Sequence, residues 1–335
     1  MTTEAKVQLT STELGTLWMS YQTLSAAIAF CNLFKDKVID KEAKNILTSY
    51  SIARKNTINE ITNIFNNEKA VIPVGFGEQD IMLEVPPLFD DIFCIMYLRQ
   101  ISKLHLGHSA VFSAMSYLKE VNDVLKQKYD VSNKYYMITT NYLLGKGVLA
   151  RPPYVTMPKQ VEFIEGKNYM SGFNPFSEKR SLNTIEVGYI NEAIEYNIFN
   201  MQLLTGFAQV AKESEVKKYF IEGKELSKNV ITELSGVLLQ SDIQPPSAWA
   251  GKATDSNQAP FSDKLMMYTN SLTAVTALGF TGLGTSFSMR KDLPVKLGLI
   301  SKDTFEYSKK GAKLMIKYKW MEEPPQMEDR NQLTK

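Results

Sequence analysis

Only two histidines occur in the chain, His105 and His108. Three residues apart on a helix, both imidazoles leave from one face, which is the spacing of a zinc or copper chelate. Such a pair needs a third ligand, and Cys94 or an acid is the candidate. The plainer role for His105 and His108 is that of structural histidines. A different metal chemistry, a two-metal centre in a helical bundle, takes a Glu from each of two helices and a Glu-x-x-His from each of the other two. No Glu-x-x-His occurs anywhere. Glu60 is followed at the third place by Asn63, a poor ligand, and the stretch from Val131 to Lys146 contains no acid. The sequence therefore offers no symmetric di-metal set, and no cofactor is expected.

Nucleophilic chemistry is equally poorly supplied. Cys31 and Cys94 fall inside apolar helical patterns and read as inert buried thiols. Two histidines are too few to build a convincing Ser-His-Asp or Cys-His arrangement. Gly279-x-x-Gly282-x-Gly284 lacks the preceding strand and the Lys-Ser/Thr that a phosphate loop requires. Glu13 and Glu186 sit three residues after Thr10 and Asn183, which is capping-box spacing. Glu42 and Glu215 sit where acids favour a helix dipole. Trp18 adjoins an apolar seam and reads as core. Trp249 lies among prolines and reads as a loop anchor.

These residues belong to a sequence written twice. Thr10, Glu13 and Gly15 return 173 residues later as Asn183, Glu186 and Gly188. The seam Leu14, Leu17, Tyr21, Leu24, Ile28, Cys31 returns as Val187, Ile190, Ile194, Asn197, Met201, Leu204. Steps of three and four make it one stripe of a packed helix. Phe89, Asp91 and Gly107 return at a spacing of 172 as Phe261, Asp263 and Gly279, and Arg151-Pro-Pro returns as Glu323-Pro-Pro.

The pattern predicts helices near 10–35, 41–66, 88–126 (with room for a break beyond Gly107) and 131–146, the last capped by Asp130 or Ser132. Their copies are expected near 184–211, 213–240 and 262–290, with a fourth capped by Ser301 or Asp303 and reaching about Tyr318. Pro294 is expected to break the chain between the last two. Proline- and glycine-rich crossings at 68–87 and 241–260 separate the second helix from the third in each half. Short, long and short connections are the ferritin-like arrangement. The expected fold is all-α, a tandem duplication of a ferritin-like four-helix bundle with a long crossover between helices two and three. The expected division is 1–153, a connection at 154–181 with a short strand at Gln160–Ile164, and 182–335. A stripe of small residues, Ala274, Ala277, Thr281, Gly284 and Ser288, should let a neighbouring helix approach closely.

The chain has 335 residues with 38 basic and 36 acidic side chains, a net charge of +2. That balance carries no electrostatic footprint for nucleic acid. Met1–Lys6 lacks an apolar signal core, so secretion by a signal peptide is not expected. Leu265–Met289 has no formal charge and is long enough to span a bilayer, but its Asn270, hydroxyls and glycines favour a buried bundle helix.

Several runs resemble a known family: Leu9-Thr-Ser-Thr-Glu-Leu, Pro73-Val-Gly-Phe, Gly147-Val-Leu-Ala-Arg-Pro-Pro, Gly206-Phe-Ala-Gln-Val-Ala-Lys, Pro260-Phe-Ser-Asp-Lys-Leu-Met-Met and Trp320-Met-Glu-Glu-Pro-Pro-Gln. Together they resemble a family of bacillar proteins that carries a domain of unknown function twice per chain and is related to spore coat protein F. The resemblance implies tandem ferritin-like bundles in a non-enzymatic structural or interaction protein. Its expected partners are spore coat proteins or further copies of itself, and its expected place is the cytoplasm or the spore coat. The alternative is a ferritin-like metal or small-molecule binder. The family pattern carries histidines where this chain has Thr269 and Asn229, which weakens the metal-binding alternative.

Overall fold

The computed structural model describes residues 7–172, 179–246 and 251–334. The helices in chain order are α1 (Ser11–Lys37), α2 (Lys41–Asn67), α3 (Asp91–Ala114), α4 (Lys119–Gly145), α5 (Thr184–Val210), α6 (Ser214–Leu239), α7 (Asp263–Phe287), α8 (Asp292–Lys317) and a single turn, α9 (Arg330–Leu333). Short 3-10 turns occur at Glu78–Asp80 and Lys167–Met170. No strand forms among the described residues; one isolated antiparallel bridge joins Ile81 to Phe261. Contacts divide the chain into two units. The first is Met1–Leu143 with Pro260–Leu265 and Lys319–Lys335; the second is Leu144–Ala259 with Met266–Tyr318. Each contains four long helices joined short, long, short, so the fold is a duplicated four-helix bundle.

In the first unit, Thr10 caps α1 and Glu13 closes the capping box. Asp40 caps α2, and its N–H, with that of Ile39, donates to Asp91 at the start of α3. The apolar stripes of all four helices meet in one cluster that includes Leu17, Leu24, Ile61, Phe65, Phe112, Val121 and Leu125. Phe261 packs on Phe30 and Phe34, with ring centroids 4.1 and 6.0 Å away. Glu322 accepts the N–H groups of Val74 and Gly75 in the long crossing.

In the second unit, Asn183 and Glu186 reproduce the capping box at α5. A cluster of Ile190, Ile194, Val230, Leu234, Leu238, Leu293 and Leu297 joins α5, α6 and α8. Thr273 and Asn270 of α7 meet Tyr196 of α5 and Tyr307 of α8 through hydrogen bonds of 3.0 and 2.9 Å. The small-residue stripe works at Gly284, where an added Cβ would stand 3.2 Å from Leu297 and 3.3 Å from Tyr189. No helix among the described residues is long and apolar enough to cross a membrane.

Three local expectations are corrected. The third helix stops at Ala114 rather than near Lys126, and α4 begins at Lys119. Asp130 and Ser132 are therefore interior to α4: Asp130 pairs with Lys126 at 2.6 Å, and Ser132 donates to the Lys128 carbonyl. The helix break is set by a distant group, Glu13, which accepts the N–H groups of Tyr117 and Leu118 at 2.8 and 2.6 Å. Likewise α8 begins at Asp292, so Pro294 lies in its first turn, where a missing N–H costs nothing. Ser301 and Asp303 are then mid-helix and cap nothing. Residues 160–164 form no strand.

Candidate functional site

The centre of the first bundle is basic. Arg54 of α2, His105 of α3 and Lys128 of α4 are all fully buried. The Arg54 guanidinium donates to the Lys128 carbonyl at 3.0 Å and to the Ser132 hydroxyl at 2.6 Å. It also lies 5.0 Å from the centroid of the Tyr50 ring. The Lys128 ammonium donates to Ser20 of α1 at 3.0 Å and sits 5.1 Å from the Phe112 ring centroid. Among the described residues, neither ring nitrogen of His105 has a partner, nor do Arg54 Nε, Ser51 Oγ or Ser102 Oγ.

The local reason for this placement is the seam. On α2 the buried positions Ala43, Leu47, Tyr50, Arg54, Thr57, Ile61 and Ile64 step by four and three. On α4 the sequence Val121, Leu125, Lys128, Ser132, Tyr135, Thr139, Tyr142 does the same. Arg54 and Lys128 thus occupy core positions on helices whose stripes face inward. That periodicity was the signal that could have found them in the sequence.

The electrostatics follow from burial among like charges. Burial, then Arg54, push Lys128 down to about 7. Burial, then Arg54, Lys128 and His108, hold His105 well below the ordinary histidine range. Burial and Lys128 take His108 down to about 4. His108 is half-buried and stacks on Phe112 at 5.4 Å. The predicted pair thus lies on one helix as expected, facing basic groups. Cys94 is eleven residues before His105 on α3, roughly 16 Å along the axis, and cannot complete a chelate with it. Among the described residues no three His, Cys, Asp or Glu side chains gather as a metal would require. Glu60 accepts from Gln127 at 2.7 Å.

Both cysteines are buried and unpaired, and burial pushes both thiols up, away from nucleophilic thiolate. Trp18 is buried, while Trp249 lies outside the described residues, as do 173–178 of the expected connection and Met1–Lys6. Thr269 is buried and Asn229 is exposed. Gly279, Gly282 and Gly284 are all within α7.

The repeated acids do more than cap their own helices. Glu13 takes the Thr10 N–H on one oxygen and the Tyr117 and Leu118 N–H groups on the other. Glu186 takes Asn183 N–H on one oxygen and those of Met289 and Arg290 on the other, and adds a two-pronged contact from Arg180 at 2.8 and 2.7 Å. Each carboxylate therefore ties the start of its unit's first helix to the turn between its third and fourth.

A second feature lies in the second unit. Every residue from 151 to 168 is exposed, and the run holds Tyr154, Val155, Met157, Val161, Phe163 and Ile164. Tyr154, Val161 and Phe163 are 87%, 83% and 86% exposed.

A chain of two four-helix units, each closed by the same buried Glu, is a tandem helical-bundle protein. It belongs to the family described as Protein of unknown function (DUF3231), which matches residues 1–161 and again 170–333. No curated protein matches the chain. Among solved structures it is similar to a "putative spore coat protein" from Bacillus halodurans C-125, at 17% identity, over 45% of this chain and 98% of that one, with a TM-score of 0.41. A likeness at that level transfers no role.

Proposed function

We propose that the chain is a non-enzymatic assembly protein of the spore, in which two ferritin-like bundles serve as scaffold for self-association or for binding coat proteins. The observation that carries this reading is the exposed run from Tyr154 to Ile164. Six large apolar side chains within eleven positions of chain outside any helix face solvent. Burying one such side chain is worth about 1.5–3 kcal/mol, and contiguous exposed apolar surface marks interaction sites. Chain without helical structure also keeps its backbone N–H and C=O groups open to pairing with another strand. The spore setting rests on the sequence runs that resemble the bacillar family. The raised thiols and the deeply buried, uncharged His105 support a role without catalysis.

The test is a Val161→Ser, Phe163→Ser double variant of the full chain, compared with the parent by light scattering and by localisation of tagged copies in sporulating cells. Loss of self-association or of coat localisation is expected. A parent that stays monomeric and uniformly distributed in vegetative cells overturns the reading.

A second reading, metal binding, has one observation in its favour: both His105 nitrogens and His108 Nδ1 lack protein partners. Elemental analysis of protein purified without chelators tests it. Stoichiometric zinc, copper, iron or manganese, lost on His105→Ala, would establish it.

A further inference from the structure

The first bundle encloses positive charge, and among the described residues no carboxylate pairs with it. A guanidinium stays protonated in proteins, and Arg54 is fully buried. Its acceptors, the Lys128 carbonyl and the Ser132 hydroxyl, are neutral, and so is the Tyr50 ring beneath it. Its Nε–H has no acceptor. Lys128 adds a second cationic group whose neighbours are the Ser20 hydroxyl and the Phe112 ring. The charged groups that act on Lys128 and His105 are themselves basic: Arg54 from α2, Lys128 from α4 and His108 from α3. From α1 the facing groups are Ser20 and the neutral thiol of Cys31. Tyr50 and Tyr135 complete the wall, their rings 5.1 Å apart. Leaving such a charge desolvated and without a counter-ion costs a large part of a domain's usual margin of stability. Buried charges in folded proteins are accordingly paired or hold an ion.

We infer that the first unit binds a small inorganic anion, of chloride or nitrate size, between Arg54, Lys128 and His105. The unsatisfied donors point to the ligand's sign: Arg54 Nε–H, the imidazole N–H of His105 and the Ser51 and Ser102 hydroxyls all lack an acceptor. A cation placed there would face two basic side chains without one carboxylate. Enclosure by four packed helices limits the ligand to a few atoms. The second unit lacks the arrangement altogether, because Ser227, Ile300 and Ala277 stand where Arg54, Lys128 and His105 stand in the first. Pairing with the anion holds Lys128 protonated, so binding takes up a proton and strengthens as the pH falls from 8 to 6.

The test is thermal unfolding of the full chain, with sodium gluconate replaced by sodium chloride or nitrate at fixed ionic strength. Gluconate is too large to be enclosed. The expected result is a midpoint raised by about 2–4 °C in chloride or nitrate. The rise should be larger at pH 6 than at pH 8 and absent in Arg54→Met. Lys128→Met should keep a smaller rise and lose its pH dependence. Equal midpoints in gluconate and chloride for the parent chain overturn the inference. So does an undiminished rise in Arg54→Met, which would mark a general salt effect. Should Arg54→Met fail to fold, the parent's pH comparison decides: equal rises at pH 6 and pH 8, or an unchanged pH dependence in Lys128→Met, overturn it.

Discussion

The two bundles solve the meeting of their second and fourth helices in opposite ways. In the first, α2 and α4 meet through charge: Arg54 reaches across to the Lys128 carbonyl and to Ser132. In the second, α6 and α8 meet through shape. Tyr219 and Tyr307 stack with centroids 4.2 Å apart, and each lays its hydroxyl over a glycine of the facing helix. An added Cβ on Gly223 would fall 2.1 Å from the Tyr307 hydroxyl, and one on Gly311 2.2 Å from that of Tyr219. Asn270 donates to Tyr307 and completes a neutral network. Ser132 and its counterpart Thr304 still make the same bond to the carbonyl four residues back. A shared backbone thus tolerates a basic centre in one copy and an apolar, neutral one in the other, while the tying glutamate is kept in both. The difference confines the buried cluster of Arg54, His105 and Lys128 to the first copy.

Transplanting the lysine gives the largest expected effect. Ile300→Lys puts the Lys128 residue type into the second core, where Ala193 replaces the accepting Ser20. A loss of about 3–5 kcal/mol is expected in urea unfolding, since the charge is buried without a partner. A loss below about 1 kcal/mol would show that the second core can hydrate or repack around charge. Next, Gly223→Ala should cost about 2–3 kcal/mol, because Tyr307 is held by stacking and by Asn270 and cannot swing aside.

Glu186→Gln should cost about 2 kcal/mol at neutral pH through weakened charge-assisted bonds. Burial pushes the Glu186 carboxyl up, but Arg180 and the N–H groups of Arg290 and Asn183 outweigh it and hold it at about 2. A carboxyl held below its unfolded value stabilises above that value. The contribution is lost as pH falls from about 4.5 towards 2, and the variant should flatten that acid limb. Glu13→Gln should show a smaller effect, because no guanidinium backs its carboxylate.

The smallest change at neutral pH belongs to Lys128→Met, expected within about 1 kcal/mol of the parent. Its signature is pH dependence in gluconate. The folded pKa of about 7 lies below the ordinary 10.5, so the unfolded chain binds more protons between those values. Parent stability therefore rises with pH across that window, and the variant should lose the rise.

The duplication, the capping boxes and most helix ends were legible because they are local: a hydroxyl or amide three residues before a glutamate, an apolar step of three or four. What escaped depends on distant groups. The break after Ala114 carries no proline or glycine, and apolar periodicity runs through it; Glu13, about a hundred residues away, fixes it. Arg54 and Lys128 look like solvent-facing residues when read by type, and only their register on the seam places them inside. Arg180, which backs Glu186, lies outside any helix and follows no periodic rule.

Phe261 and Glu322 belong to the first unit although its fourth helix closes at Gly145. A ribosome adding 5–20 residues per second needs roughly 10–35 s to travel from residue 144 to residue 322. For roughly the first 6–23 s of it, until residue 261 is made, the nascent first bundle has its helices but not the aromatic ring of Phe261 over Phe30 and Phe34. Its closure therefore waits on segments made well after its four helices, and until Phe261 arrives Phe30 and Phe34 lack the ring that packs on them.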